Sequence, residues 1–109
     1  MNVDKYYLER NDSTVKAEHI YNEFTFYDVT FSGANGYYLF EGIIKNNSKK
    51  DIESITFDIQ FLDENSNVKY EYHGSASFDL KSKISIVHIE TTKNIALYYD
   101  YKISNIEIN

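Results

Sequence analysis

The spacing most suggestive of chemistry is Asp63-x-Asn65-x-Asn67, because alternate oxygen-bearing side chains at the start of a loop are how EF-hand calcium loops aim at one cation. The pattern then stops. Val68 stands where the sharp-turn glycine belongs and Gly74 where a bidentate glutamate would complete the ligand set, so the segment predicts a polar hairpin and no metal site. His19, His73 and His88 are not spaced as zinc ligands, and the chain has no cysteine, which removes thiolate metal sites, disulfides and cysteine catalysis together. His88 alternates with Ile84 and Ile86 and predicts a sheet residue whose ring is satisfied by neighbours. Serine, histidine and carboxylates are present, but no nucleophile elbow and no glycine-rich phosphate cradle joins them. The expectation is a chain that is not an enzyme, with no catalytic residue, no cofactor-binding residue and no metal ligand. Asn46-Asn47-Ser48 matches the N-glycosylation acceptor pattern; read as a turn, it predicts that Asn46 ends a strand and bonds the backbone beyond it.

Binding is better served than catalysis. The chain carries eleven tyrosines and seven phenylalanines. If Phe40, Gly42 and Ile44 face a core, strict alternation puts Tyr37, Leu39 and Ile43 on the opposite face of the same strand, an unusually apolar outer side. These three are the candidate partner-binding residues, since tyrosine is enriched where proteins meet. Three competing readings are a bulge that changes the facing, an amino-terminal segment, with Tyr6, Tyr7 and Leu8, that covers it, and long lysine stems that shield it. The formal net charge is −6, and the ten lysines and one arginine are scattered, so no basic stripe exists for nucleic acid or anionic lipid. The opening residues MNVDKYYLER hold charge from residue 4 onward and no apolar run, which predicts neither an export signal nor direct membrane insertion by this chain.

The elements that position these residues read as strands. A chain of 109 residues suits one domain, and its β-branched and aromatic content favours pleated structure. Residues 1–14 are charged and polar and predict a tether; residues 15–109 predict a single β-sandwich domain, with a first strand extending over Val15 to Ile20. Phe24 and Phe26 share one parity and Val29 and Phe31 the other, which predicts a β-bulge near Tyr27-Asp28. Ser32 to Gly36 predicts a hairpin turn before a strand from Tyr37 to Lys45. Ile55, Phe57, Ile59 and Phe61 alternate with polar residues and predict a half-buried strand. Val68 to Tyr72 follows, then a link at Gly74-Ser75-Ala76-Ser77, an apolar strand from Ile84 to Ile89, one helical turn within Thr92 to Leu97, and a last strand over Tyr98 to Ile108. That last strand alternates through Tyr99, Tyr101 and Ile103 before shifting parity to Ile106 and Ile108, which predicts a second bulge or break. Short strands at such intervals predict an all-β, immunoglobulin-like two-sheet antiparallel sandwich of about seven strands.

The run from Gly42 to Ile52, Gly-Ile-Ile-Lys-Asn-Asn-Ser-Lys-Lys-Asp-Ile, followed by Phe57-Asp58-Ile59-Gln60-Phe61-Leu62-Asp63, resembles the FxLYD domain, a small immunoglobulin-like sandwich of bacterial secreted proteins and lipoproteins. In that family a Gly-x-Val-x-Asn strand enters an Asn-Ser turn, and the next strand ends in Phe-x-Leu-Tyr-Asp. Here Ile59 to Asp63 keeps the aspartate and the hydrophobic classes and lacks aromatics at the first and fourth positions. The likeness spans roughly residues 24–108 on the sandwich pattern. It implies an extracellular or cell-surface location and a role as an interaction or spacer module, with an unidentified protein or glycan as partner and no shared catalytic residues. The alternative is a small cytoplasmic or phage-encoded acidic protein, such as an inhibitor, that opposes a basic partner.

Overall fold

The computed structural model describes residues 14–109. Eight strands are formed: β1 (Thr14–Val15), β2 (His19–Tyr21), β3 (Phe24–Ala34), β4 (Tyr37–Asn46), β5 (Ser54–Leu62), β6 (Val68–Ser77), β7 (Ile84–Thr91) and β8 (Asp100–Ile108). In the first sheet β1 and β2 both pair with the outer edge of β3, which pairs with β4, which pairs with β7; in the second the order is β6-β5-β8. Every pairing is antiparallel. In the lettering of immunoglobulin domains, β3, β4 and β7 take places A, B and E, and β6, β5 and β8 take C′, C and F.

The faces follow from alternation and its interruptions. The register between β3 and β4 slips between Tyr27 and Thr30, where Asp28 has a positive φ of 50°. That bulge is why Phe24 and Phe26 before it, and Val29 and Phe31 after it, all reach the core. Asn35 and Gly36, both at positive φ, close the β3–β4 hairpin in two residues, the geometry for which Asn-Gly is preferred. In β8 a second slip falls between Ser104 and Glu107, with Asn105 at φ 52°. Both interruptions lie where the parity of the sequence changes.

Three expectations need correction. Val15 to Ile20 is not one strand; Lys16, Ala17 and Glu18 interrupt it, because Lys16 turns inward. Gly74 to Ser77 is no link but the second half of β6, paired with Ser54 to Phe57. Glycine stands at position 74 because the Phe57 ring lies over it, so that a Cβ there would sit 2.5 Å from a ring carbon. Tyr99 does not share the inward alternation of Tyr101 and Ile103; it precedes β8 and is exposed. The expected tether falls almost wholly on residues outside those described, with Thr14 already paired to Phe31. The expected helical turn is a 3-10 turn at Ile95–Leu97.

The core is an aromatic lattice between the sheets. Phe26 meets Phe57 edge-on, Phe31 meets Phe61, and Tyr101 lies against Phe26, Phe31 and Phe40. Where the chain passes from β4 to β5, Asn46 is buried and its side chain serves as the hub of the turn. Its amide donates to the Lys50 carbonyl (2.8 Å), and its oxygen accepts from the N–H (2.9 Å) and hydroxyl (2.6 Å) of Ser48. Asn47 N–H donates to the Glu23 carbonyl and Lys83 Nζ to the Ser48 carbonyl, so the same turn ties β3 and β7 together.

Asn46→Ala takes the acceptor from the buried Ser48 N–H and hydroxyl and leaves the Lys50 carbonyl only its longer bond from Ser48 Oγ, and a buried unpaired polar group costs about 1–3 kcal/mol. The expected loss is about 2 kcal/mol in urea unfolding, with an unchanged denaturant slope. An Asn46→Ala protein as stable as the parent would show that the turn holds without its hub.

Candidate functional site

The outer face of the first sheet is built by cross-strand register. Ile43 lies opposite Tyr27 on β3 and Ile86 on β7; Glu41 lies opposite Thr30 and His88; Leu39 lies opposite Ser32 and Glu90. The middle of the sheet therefore presents an apolar row, Tyr27–Ile43–Ile86, bordered by an acid–imidazole row. On the edge, Val15 and Ile20 are paired with Thr30 and Thr25 and so face the same way. Ile86 is 77% exposed and Tyr37 is 68% exposed, while Leu39 and Ile43 are half-buried among their neighbours. Phe40, Gly42 and Ile44 are buried, so Tyr37, Leu39 and Ile43 do fall on the outer side. Leu39 and Ile43 sit within the face and Tyr37 at its hairpin end. Tyr6, Tyr7 and Leu8, the segment whose covering of this face is a competing reading, lie outside the described residues.

Two members of the face, Tyr27 and Ile86, escaped the sequence reading. Tyr27 points outward because it immediately precedes the bulge, which parity had already located. Ile86 was hidden by the apolar run from Ile84 to Ile89, in which both parities are hydrophobic and only pairing with β4 tells inside from outside.

The second sheet is the opposite case. Its outer face carries Thr56, Asp58, Gln60, Glu71, His73, Ser75, Lys102 and Ser104, joined by Gln60–Glu71 (2.7 Å), Asn105–Asp58 (2.7 Å) and a His73–Asp58 contact. The Asp58 carboxyl is held below the usual range, first by the Asn105 amide and then by His73. These charges and amides satisfy one another.

The side chains weighed for chemistry are likewise engaged with their neighbours. Asp63 Oδ1 accepts the N–H groups of Asn65 and Asn67, both at 2.9 Å, making the polar hairpin; its carboxyl is lowered first by the Asn67 N–H. Asn46 is 2% exposed, so the side chain that would accept a glycan is enclosed. His19 pairs with Asp100 at 3.2 Å. Among the described residues no group of three or more His, Asp or Glu side chains is placed to hold a metal ion.

His88 stands in the acid–imidazole row beside the apolar one. Nδ1 lies 3.3 Å from Glu41 and Nε2 3.1 Å from Glu90, and both bonds exist together only when the ring carries two N–H groups. Its pKa is raised, first by the Glu90 bond and then by Glu41. The fold and the face together define an immunoglobulin-like two-sheet sandwich with one apolar and one polar outer surface. No protein-family model matches the chain, and no curated protein or solved structure compared with it matches either.

A raised pKa means that the folded state holds this proton more tightly than the unfolded chain does. The stability it contributes is complete below the ordinary histidine value near 6.5 and is lost as pH rises through the folded value. In an NMR titration His88 is expected to titrate above about 6.5, with Glu90→Gln lowering the midpoint more than Glu41→Gln. A midpoint at or below the ordinary value would show that the carboxylates do not hold the ring.

Proposed function

We propose that this chain is a non-catalytic interaction domain of a bacterial cell-surface or secreted protein, binding a protein or glycan through the outer face of its first sheet. The observation that carries the reading is the contrast between the two outer faces. A sandwich that served only as a scaffold would leave both surfaces polar, as the second sheet does with its self-paired Asp58, His73, Asn105, Gln60 and Glu71. The first sheet instead leaves Tyr27, Ile43 and Ile86 side by side, with Leu39 and Tyr37 on the far side of the Glu41–His88 row. Contiguous apolar surface on a soluble domain marks a place where another surface sits.

The likeness of the Gly42–Ile52 and Phe57–Asp63 segments to the FxLYD domain supports the location. The Asn-Asn-Ser part of that likeness coincides with the structural hub at Asn46, and the motif-like strand is β5, at the centre of its sheet. Neither of these is a recognition element, so in this reading specificity belongs to the face and not to the motif.

The test is capture from cell-surface extract of the source organism on immobilised domain, with Leu39→Ser/Ile43→Ser as the control. Each site is half-buried on the outer side, so the control is expected to keep the fold while its binding falls at least about tenfold. A ligand held by the parent and lost by the control supports the reading. Equal capture by both, or capture by neither, transfers the domain to a spacer role.

A further inference from the structure

The four outermost strand edges are not equally guarded. The β1/β2 edge is broken at Lys16 to Glu18. The β6 edge carries Lys69, Glu71 and His73, and its pairing slips near Leu62. The β8 edge carries Lys102 and Glu107 and is bulged at Asn105. Bulges and charges of this kind keep sheet edges from pairing with other chains. β7 carries two such side chains, His88 and Glu90, but neither a break nor a bulge. It pairs with β4 without a slip from Lys45↔Ile84 to Tyr38↔Thr91, and its only charged or titratable side chains, His88 and Glu90, neutralise each other.

The hydrogen-bond phase shows which backbone groups face outward. Asn46 N–H donates to the Lys83 carbonyl at 2.9 Å, which makes Lys45↔Ile84 a non-hydrogen-bonded pair and turns the N–H and C=O of Ile84 away from β4. Ile84 C=O does accept from outside the sheet, from Asp79 N–H at 3.0 Å. By alternation Ile86, His88 and Glu90 also point their backbone groups to the free edge, and among the described residues no backbone group meets them there.

We propose that β7 pairs with β7 of a second copy of this chain, antiparallel about a two-fold axis at His88, joining the two first sheets into one. The register follows from what the edge leaves open. At one end the Asp79–Lys83 turn occupies the edge beside Ile84, and at the other the strand ends at Thr91. The midpoint of the open stretch is His88. A two-fold there sets Ile86 opposite Glu90 of the second copy and gives every outward N–H and C=O of Ile86, His88 and Glu90 a partner. A second copy is the occupant because an antiparallel strand is its own complement under a two-fold. The side chains agree. The row Tyr27–Ile43–Ile86 ends at this edge, so pairing sets it against the row of Glu90, Leu39 and Ser32 in the second copy and covers part of the exposed Ile86 with the Glu90 stem. Each imidazole that meets its mate at the axis is already compensated by Glu41 and Glu90. The interface is small for a specific complex, which sets the dissociation constant in the range of about 10 μM or weaker.

Sedimentation equilibrium from about 5 μM to 1 mM is expected to show the mass climbing from 12.8 kDa toward twice that value. Ile86→Glu sets a carboxylate directly opposite Glu90 of the second copy, a like-charge pair that opposes strand pairing, and His88→Pro removes an outward N–H without touching the β4 ladder; each is expected to weaken association at least about tenfold. Hydrogen exchange on the parent protein gives a readout that needs no variant, since the amides of Ile86, His88 and Glu90 are expected to slow as concentration rises. A constant mass of 12.8 kDa across the range overturns the proposal. So does association undiminished in the folded variants, or exchange that slows at the β6 or β8 edge instead.

Discussion

Everything in this molecule depends on how Tyr101 is held. Its ring, 1% exposed, leaves the second sheet and enters the aromatic side chains of the first, meeting Phe26, Phe31 and Phe40 at centroid distances of 5.4–6.4 Å. With no disulfide to staple the sheets, that contact and the edge-on Phe26–Phe57 and Phe31–Phe61 pairs register one sheet against the other. The hydroxyl of a buried tyrosine needs a partner, and Tyr101 donates to the Ala17 carbonyl. Burial drives its pKa well above the ordinary tyrosine value, with Tyr21 and Asp100 adding to the rise. The same ring that locks the sheets therefore fixes the path of the chain between β1 and β2.

That path explains the strangest residue of the core. Lys16 lies inward at 9% exposure, its ammonium 4.5 Å from the centre of the Phe31 ring and donating to the carbonyls of Tyr98 and Tyr99 at 2.6 and 2.8 Å. Burial pulls its pKa below the ordinary lysine range, against the opposing pull of Asp100. The carbonyls precede β8 and do not belong to its ladder, so without Lys16 they would be orphaned at the seam. His19 with Asp100, and the Tyr21 hydroxyl with the Tyr101 carbonyl, add polar ties along the same line. No pattern in the sequence announces this. A lysine between Val15 and Ala17 reads as one more solvated charge, because inward facing depends on carbonyls more than eighty residues away.

Elsewhere the sequence was legible in proportion to how local the cause was. The bulge at Asp28 is visible because one extra residue reverses the parity of Val29 and Phe31 against Phe24 and Phe26, and Asn35-Gly36 because positive φ narrows the choice of residue. Asn46 was readable as a turn-forming side chain. Gly74 misled for the opposite reason: read locally, glycine and serine mark a break, whereas the Phe57 ring on the neighbouring strand requires the missing Cβ. The candidate face was half legible. Leu39 and Ile43 followed from alternation against a buried Phe40, but Ile86 needed the strand pairing, which is a long-range fact.

The two seams of the sandwich are consequently unequal. On the β1/β2–β8 side, Lys16, His19, Tyr21 and Tyr101 bind segments far apart in sequence, so that separating the sheets there would strand a buried ammonium and several carbonyls at once. On the β6–β7 side the described polar side-chain tie is the hydroxyl pair of Tyr72 and Thr91. Local opening follows the weaker set of contacts, which places the softer side of the domain along β6 and β7. The rigid seam anchors the amino-terminal strands, while the exposed row from Tyr27 to Ile86 runs across the sheet and ends on the softer edge. Surface apolarity and unpaired backbone thus converge on β7, where the core holds the strand through the inward side chains of Ser85, Val87, Ile89 and Thr91 and leaves its outer half to meet another chain.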